Sequence, residues 1–264
     1  MTAVMDRAPV AKAHTLPVIG SIVVRSLTRI RRMPSAFVPS LAMPIFQLVA
    51  FTGAFAGAIA FAGIDSAIDW YMPMAAIQAS AFGAMGLTFA AVNDLQTGFF
   101  DRLFMAPAGR NALLYGPLVA AVVRGLIPLA LVLVVGFAAG AAMPGGPMAI
   151  VMVTIASLGI AYIAAGFGLG LALRMKTIAA ATLMQFVIFF TIFLSTAQMP
   201  LEYIEGWVKP LATINPMTRI LAMARQGFLG DITWSVTWKG LLAIFVWGTV
   251  TTLYARRSLT KFDR

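Results

Sequence analysis

Residues 71–93 have the sequence YMPMAAIQASAFGAMGLTFAAVN, a run of 23 residues without a charge. About 20 apolar residues are enough for a helix to cross the hydrocarbon core of a bilayer, so this run predicts a membrane span. Residues 94–110, DLQTGFFDRLFMAPAGR, follow directly and carry two acids and two arginines among three phenylalanines. The whole chain of 264 residues is 61% hydrophobic and only 11% charged, whereas soluble domains carry about 25% charged residues. The pattern predicts an all-α, polytopic membrane protein.

The apolar runs predict six transmembrane helices. They cover roughly residues 36–63, 71–93, 112–141, 148–173, 177–198 and 239–255. Together they form one transmembrane domain over residues 34–255, preceded by a disordered N-terminus at 1–16 and followed by a cytoplasmic tail at 256–264. Residues 200–237 are too polar to cross a membrane and too apolar for a plain loop. We expect a semi-re-entrant pair of short helices there, dipping partway into the outer leaflet with Trp and Tyr side chains at the interface.

Residues 17–33 precede the first span and are amphipathic at helical spacing. Apolar residues fall on one face, whereas Arg25, Arg29 and Arg32 fall on the other. A basic amphipathic helix is suited to the anionic headgroup layer of a membrane, so we expect an interfacial elbow helix. The alternative is a helix that packs against protein on the cytosolic side.

The net charge of +10 follows the predicted topology and does not require a nucleic-acid partner. Fourteen basic residues lie in the N-terminal segment, in the loops after the second and fourth spans, and in the tail, all on one side of the predicted membrane. Cytoplasmic loops of membrane proteins are enriched in Lys and Arg, so both termini are expected in the cytoplasm of a bacterium, with the spans in its inner (plasma) membrane. Arg124 lies inside the third span, where a charge needs a protein partner or a lipid headgroup.

The sequence lacks the residues that most catalytic and metal sites require. It has no cysteine and a single histidine, His14, and its few acids lie outside the spans. The pattern GxxxxGK followed by Ser or Thr, which cradles phosphates in many ATPases, is absent as well. We therefore expect no catalytic, cofactor or metal site and no enzymatic activity in this chain. A membrane-embedded enzyme is disfavoured, while an ion-coupled carrier or channel that works alone stays open as an alternative.

Mildly polar and aromatic side chains inside the spans form a candidate translocation path for an amphipathic or lipophilic substrate. Methionine and aromatic surfaces adapt to varied apolar shapes. Hydrogen bonds between helices are the alternative explanation for the polar members of the set. The candidates are Gln47 and Thr52 in the first span, Gln78, Phe82 and Met85 in the second, and Gln185, Thr191, Ser195 and Gln198 in the fifth.

Two stretches resemble a known family. GFFDRLFMAPAGRNALLYG at residues 98–116 resembles the cytoplasmic coupling region of daunorubicin-resistance-type drug permeases, and residues 195–230, STAQMPLEYIEGWVKPLATINPMTRILAMARQGFLG, resemble their re-entrant segment. These permeases are the transmembrane subunits of type-2 ATP-binding-cassette exporters. The resemblance implies a dimer with a second permease, either the same chain or a sister subunit. It also implies a separate ATPase subunit that binds ATP and Mg and drives the export of a lipophilic drug, antibiotic or lipid.

The resemblance also implies roles for individual residues. A coupling helix within residues 94–110 would dock on the ATPase through Asp94 and the FFDRLF step, with the apolar side chains as a plug in an ATPase groove and the Asp–Arg pair giving polar register. The step comprises Phe99, Phe100, Asp101, Arg102, Leu103 and Phe104. The alternative is that its aromatic rings only anchor a loop at the membrane interface. In the re-entrant segment the matching positions are Glu202, Trp207, Asn215, Pro216 and Arg219.

Overall fold

A computed structural model describes residues 15–32, 38–100, 102 and 110–262. Its regular elements in these ranges are helical, which confirms the all-α class. The α-helices are α1 Thr15–Arg32, α2 Val38–Ala54, α3 Ala56–Phe61, α4 Ala67–Gln96, α5 Arg110–Ala138, α6 Met148–Met175, α7 Ala179–Phe193, α8 Val208–Ile214, α9 Pro216–Leu229 and α10 Trp234–Phe262. A 3-10 turn, Leu201–Tyr203, precedes α8.

Four helices of the described ranges are long and apolar enough to cross a membrane. They are Ala67–Gln96, Asn111–Ala138, Met148–Met175 and Trp234–Phe262. The first and fifth predicted spans are formed by shorter apolar helices, Leu41–Ala54 and Ala179–Phe193. Because a helix rises about 1.5 Å per residue, the 15 residues of α7 extend over roughly 22 Å, less than the hydrocarbon thickness of about 30 Å. The chain is thus a membrane protein, and the count of six crossings stays a prediction.

The helix ends differ from the sequence prediction at both ends of the chain. Helix α1 begins at Thr15, so residues 15–16 are helical and not disordered. Helix α10 runs over Trp234–Phe262 and takes in most of the expected tail. An apolar run is taken to end at its first charged residues. An α-helix can continue beyond them into water until a stop residue ends it, so the helices are longer than the runs.

One end of the helix bundle, called the basic end below, is formed by α1 and by the C-terminal ends of α4, α6 and α10. Gln96 Nε2 donates a hydrogen bond to the carbonyl of Lys176 at 3.1 Å, and Arg174 Nε donates to Ser258 Oγ at 2.9 Å. These bonds tie the end of α4 to the end of α6, and α6 to α10. Because Arg25 of α1 also donates to Asp94 in the last turn of α4, α1 and the last turns of α10 lie at the same end of the bundle.

Helix α4 runs through the centre of the bundle. All side chains of residues 68–84 are buried, because α2, α5, α6 and α7 pack on different sides of the helix. Gly168 of α6 faces Thr88 of α4 and Met184 of α7, and an added Cβ there would overlap the Thr88 side chain. Small residues at such crossings let helices approach closely in a membrane. A continuous helix of 30 residues therefore connects the basic end to the opposite end through a closely packed core.

Candidate functional site

The basic end contains an ion pair between α1 and the last turn of α4. Arg25 donates through Nη1 and Nη2 to the two carboxylate oxygens of Asp94, at 2.9 and 2.6 Å. The Arg25 guanidinium also lies over the ring of Phe99, 4.2 Å from its centre. The Asp94 side chain is 13% exposed and the Arg25 side chain 49%. A bidentate pair of this kind fixes geometry more than it adds energy, since exposed pairs contribute about 0.2–1 kcal/mol.

Phe100 does not have the surface position that the coupling model needs. Its side chain is only 5% exposed, and its ring packs edge-on against Phe262 of α10 with the ring centres 5.8 Å apart. In this arrangement the Phe100 side chain is turned toward α10 and away from the surface, and its part in an ATPase interface stays a prediction. Phe99 is half-buried and Arg102 is exposed. Arg102 Nη2 donates to the carbonyl of Thr97 at 3.5 Å.

The predictions for Asp101, Leu103 and Phe104 fall outside the described residues, so their place in the coupling segment stays a prediction.

The three arginines of the elbow helix have different surroundings. Arg25 pairs with Asp94, Arg29 lines two cavities beside α4 and α5, and Arg32 is exposed. The apolar face of α1 packs along α5, where Ile22 lies against Gly116 so closely that a Cβ on the glycine would overlap it. The contacts of α1 therefore agree with the alternative that this helix packs against protein. A headgroup-layer position for its exposed side stays a prediction.

The opposite end of the bundle is held by Arg225 of α9, which is 2% exposed. Its Nε donates to the carbonyl of Trp70 at 3.0 Å, Nη1 to that of Thr196 at 2.6 Å, and Nη2 to that of Ala197 at 2.8 Å. The guanidinium carbon also lies 3.6 Å from the centre of the Trp70 ring. We call these four residues the Arg225 hub. Burial lowers the pKa of Arg225 to about 9, against a raising effect of Tyr71, so the guanidinium stays charged at neutral pH.

Tyr71 completes the attachment of this turn to α4. Its hydroxyl donates to the carbonyl of Gln198 at 2.9 Å. The backbone turn after α7 is thus bound both by α4 and by α9. Residues 196–198 therefore connect α4 to α9.

Asn215 and Pro216 explain why α9 begins where it does. The Asn215 side-chain oxygen accepts from the backbone N–H of Met217 at 2.9 Å, and Pro216 occupies the first turn, where its missing N–H costs nothing. The Asn215 amide nitrogen also donates to the carbonyls of Thr191 and Leu194, at 2.7 and 2.8 Å. One side chain therefore caps α9 and binds the orphan carbonyls at the end of α7.

The other predicted positions of the re-entrant segment lie at the surface. Glu202 and Arg219 are exposed, and Trp207 is 71% exposed. The segment contains two consecutive helices, α8 and α9. An exposed Trp beside short helices fits the membrane–water interface. The depth of these helices in a membrane stays a prediction.

The candidate path residues are distributed over two regions of the bundle. Rings of Phe51, Tyr71 and Phe193 bring α2, α4 and the end of α7 together, with centres 5.5 Å apart for Phe51–Tyr71 and 6.4 Å for Phe51–Phe193. Thr52, Ser195 and Gln198 follow these residues along the chain. The remaining candidates belong to the helix interiors, namely Gln47, Gln78, Phe82, Met85, Gln185 and Thr191. The contact among these regions that involves a candidate is the bond from Tyr71 to the Gln198 carbonyl, and a shared path stays a prediction.

Hydrogen bonding separates these polar side chains into two groups. Thr191 Oγ1 donates to the carbonyl of Val187 at 2.6 Å, and Ser195 Oγ donates to that of Ile192. Both hydroxyl groups are therefore satisfied by a backbone carbonyl nearby in the chain. Within the described residues, several buried polar atoms make no hydrogen bond. Among the candidates these are Gln47 Oε1, Thr52 Oγ1, both amide atoms of Gln78, and Gln198 Nε2. A buried polar atom without a partner costs about 1–3 kcal/mol, so these groups favour contact with water, substrate or a second subunit.

Sequence reasoning missed the residues that connect the elements. Neither Arg225 nor Trp70 is among the site residues that the sequence patterns predict. Arg225 stands within LAMARQGFL at residues 221–229, a mostly apolar stretch that follows the helix-capping Asn-Pro step at 215–216. A charge in such a stretch indicates a buried partner. Its partners are backbone carbonyls, which no sequence pattern marks.

Comparisons with known proteins agree with this architecture. A family model described as ABC-2 type transporter matches residues 17–229, which include α1 from its third residue, the Arg25–Asp94 pair and the Arg225 hub. The daunorubicin resistance ABC transporter permease protein DrrB1 of Streptomyces coeruleorubidus is 24% identical over 231 residues, covering 84% of this chain and 80% of the relative. The probable multidrug ABC transporter permease YbhR of Escherichia coli (strain K12) is 25% identical over 180 residues, covering 67% of this chain but only 48% of the relative. The chain thus spans about half the length of that second relative.

Proposed function

This chain belongs to the ABC-2 type transporter family as a permease subunit, and on that premise we propose that it exports a lipophilic drug, an antibiotic or a lipid. ATP hydrolysis on a separate subunit, with its own ATP and Mg, would supply the energy. The permease would work in a bacterial inner membrane with its basic end in the cytoplasm, paired with a second permease. The name of DrrB1 supports a drug-like substrate.

The observation that carries the proposal is the continuity of α4 between two anchored ends. Asp94 at the basic end is tied to α1, and Trp70 at the opposite end belongs to the Arg225 hub. The two residues are 24 positions apart in one helix, or roughly 36 Å at 1.5 Å per residue. A helix held at both ends transmits a displacement from one to the other.

In the proposed mechanism, the segment after α4 receives the movement of the ATPase. Phe99, with Leu103 and Phe104, would supply the apolar contact, and Arg102 a polar one. Closure of the ATPase pair on ATP would displace this segment, and the Arg25–Asp94 pair would make α1 and α4 move together. At the opposite end α4 would shift the Arg225 hub and thus α9, opening a path beside the second permease. Such a change needs two discrete arrangements of packed helices.

The test is co-expression with the ATP-binding-cassette ATPases of the same genome, followed by co-purification. Because Phe100 is packed against Phe262, its truncation would disturb the fold, so the informative variant is Phe99→Ala with Phe104→Ala. We expect it to fold, as judged by size-exclusion chromatography and circular dichroism, but to lose the ATPase. The matched control is Phe61→Ala, which removes an exposed ring from the opposite end and should retain the ATPase. Intact assembly and ATP-driven transport in the double variant would refute the coupling role.

A further inference from the structure

The chain changes direction at Gly98, directly after α4. Helix α4 ends with Thr97 as its C-cap, and Gly98 has a φ of 65°, a left-handed conformation that suits glycine and commonly ends a helix. Phe99 and Phe100 then begin a new helical turn, in which the backbone N–H of Arg102 donates to the Gly98 carbonyl at 3.3 Å. We call Gly98, Phe99, Phe100 and Arg102 the diphenylalanine turn. Because the helix is interrupted at Gly98, α4 alone does not fix the direction of this turn.

The two consecutive rings of the diphenylalanine turn are held by two other helices. The guanidinium of Arg25 in α1 lies over the Phe99 ring, 4.2 Å from its centre. The Phe100 ring packs edge-on against Phe262 of α10, with ring centres 5.8 Å apart and an angle of 88° between the ring planes. Edge-to-face pairs of this kind prefer a defined geometry. The first helix of the structure therefore holds one ring, and the last helix holds the next.

The last turns of α10 form an amphipathic extension beyond the predicted span. Ala255, Ser258 and Leu259 are buried there. Phe262 is half-buried and follows them at three- and four-residue spacing, which places the four residues on one helix face. The opposite face is exposed and basic, with Arg256, Arg257 and Lys261. The residues expected in a cytoplasmic tail are therefore packed through one face, and Phe262 continues that face to Phe100.

Lys176 gives the Phe262 ring a second partner. Its Nζ lies 4.6 Å from the centre of that ring, a distance at which a cation and an aromatic face attract each other. Lys176 is the C-cap of α6, and its carbonyl accepts the hydrogen bond from Gln96 in the last turn of α4. Phe262 therefore lies where the ends of α4, α6 and α10 meet.

We propose that Phe262 is a positioning residue for the diphenylalanine turn, so that the end of α10 sets the direction in which the chain leaves α4. Phe262 acts through its edge-on contact with Phe100. The functional meaning of this inference rests on the coupling role proposed above, because Phe99 and Arg102 would then be presented to the ATPase in one fixed orientation. The orientation itself does not depend on an ATPase and can be measured without one.

The experiment measures local motion with a spin label on the full-length chain in detergent. Because the sequence has no cysteine, the label reacts only at an introduced one. One sample carries Arg102→Cys, an exposed site in the diphenylalanine turn, and another carries Asn93→Cys, an exposed site of α4 before the break at Gly98. Phe262→Ala should shift the electron paramagnetic resonance spectrum at position 102 toward a mobile component and leave the spectrum at position 93 unchanged.

Two matched variants separate the ring of Phe262 from other changes in α10. Phe262→Tyr keeps the ring and should retain the parent spectrum at position 102. Phe245→Ala removes an exposed ring from the middle of the same helix and should change neither spectrum. If Phe262→Ala does not fold, Phe262→Leu takes its place, because it keeps apolar volume but lacks the ring, and the same spectra are expected.

The affinity of the unlabelled chain for the ATPase that co-purifies with it tests the functional meaning separately. Phe262→Ala should weaken this affinity by roughly three- to tenfold, the effect of losing one aromatic pair, because the ATPase would have to order the turn itself. Phe262→Tyr should bind as the parent does. A mobile label at position 102 with unchanged ATPase affinity, or with no ATPase that co-purifies, would contradict the coupling role while supporting the positioning role of Phe262.

Three results would overturn the positioning role. The first is an unchanged spectrum at position 102 in Phe262→Ala, which would mean that Phe262 does not hold the turn. The second is equal loosening at positions 93 and 102, which would indicate a general loss of packing at the basic end. The third is a spectrum of Phe262→Tyr as mobile as that of Phe262→Ala, which would mean that the ring is not the group that holds Phe100.

Discussion

Replacing Arg225 with Met should destabilise the folded permease more than other single changes outside the apolar core. The change removes three hydrogen bonds, to the carbonyls of Trp70, Thr196 and Ala197, and the stacking on the Trp70 ring. Hydrogen bonds to charged groups contribute about 1.5–3 kcal/mol each. Part of their sum is offset, because the variant also removes the desolvation cost of a buried guanidinium. Breaking a buried charged arrangement typically costs about 3–5 kcal/mol, which is the loss we expect.

The free energy of unfolding would be measured by reversible denaturation in mixed detergent micelles. Arg219→Met is the matched control, since Arg219 is on the same helix but exposed, and it should change the free energy by about 0.5 kcal/mol or less. Arg225→Lys should recover only part of the loss, because one ammonium group cannot reproduce the planar fork that reaches three carbonyls.

Two outcomes would refute this reasoning about the Arg225 hub. One is a loss of less than about 1 kcal/mol in Arg225→Met, the size of an ordinary surface effect. The other is full recovery in Arg225→Lys, which would mean that charge alone matters and the geometry of the hub does not.

The remaining predictions concern the other end of the bundle and the path. In a double-mutant cycle, Arg25→Gln and Asp94→Asn should couple by about 0.5–1 kcal/mol in unfolding free energy, and strict additivity would contradict the pair. Asn215→Ala should lower stability by about 1–2 kcal/mol, because both its cap and its bonds to α7 are lost; a loss below about 0.3 kcal/mol would count against this. Gln185→Leu or Gln198→Leu should change which lipophilic substrates are exported, and an unchanged profile over several substrates would assign both residues to packing.

The sequence was sufficient for the parts of the fold that rest on apolar periodicity. The charge-free run of residues 71–93 lies inside α4, and the Asn-Pro step at residues 215–216 does begin a helix. Such features are local, because a helix satisfies its backbone within one segment. The family resemblance, carried by residues 98–116 and 195–230, is confirmed by a family model that covers the first stretch completely and the second up to residue 229.

The parts that sequence could not supply depend on long-range contacts. Nothing in the order of residues shows that Phe100 turns toward Phe262, or that Arg225 finds carbonyls of α4 and of the turn after α7. Both are decided by how helices rotate and cross when they pack. The pairing of Arg25 with Asp94 joins residues 69 positions apart, and opposite charges alone do not select it among the other arginines of α1.

ATP-driven transport in proteoliposomes tests the central claim most directly. The permease would be reconstituted with the ATPase that co-purifies with it, and efflux of a lipophilic fluorescent drug would be followed with ATP, without ATP, and without the ATPase. The account predicts transport only when the ATPase and ATP are both present, and its loss in Phe99→Ala with Phe104→Ala but not in Phe61→Ala. Transport by the permease alone, or transport that follows an ion gradient without ATP, would contradict it.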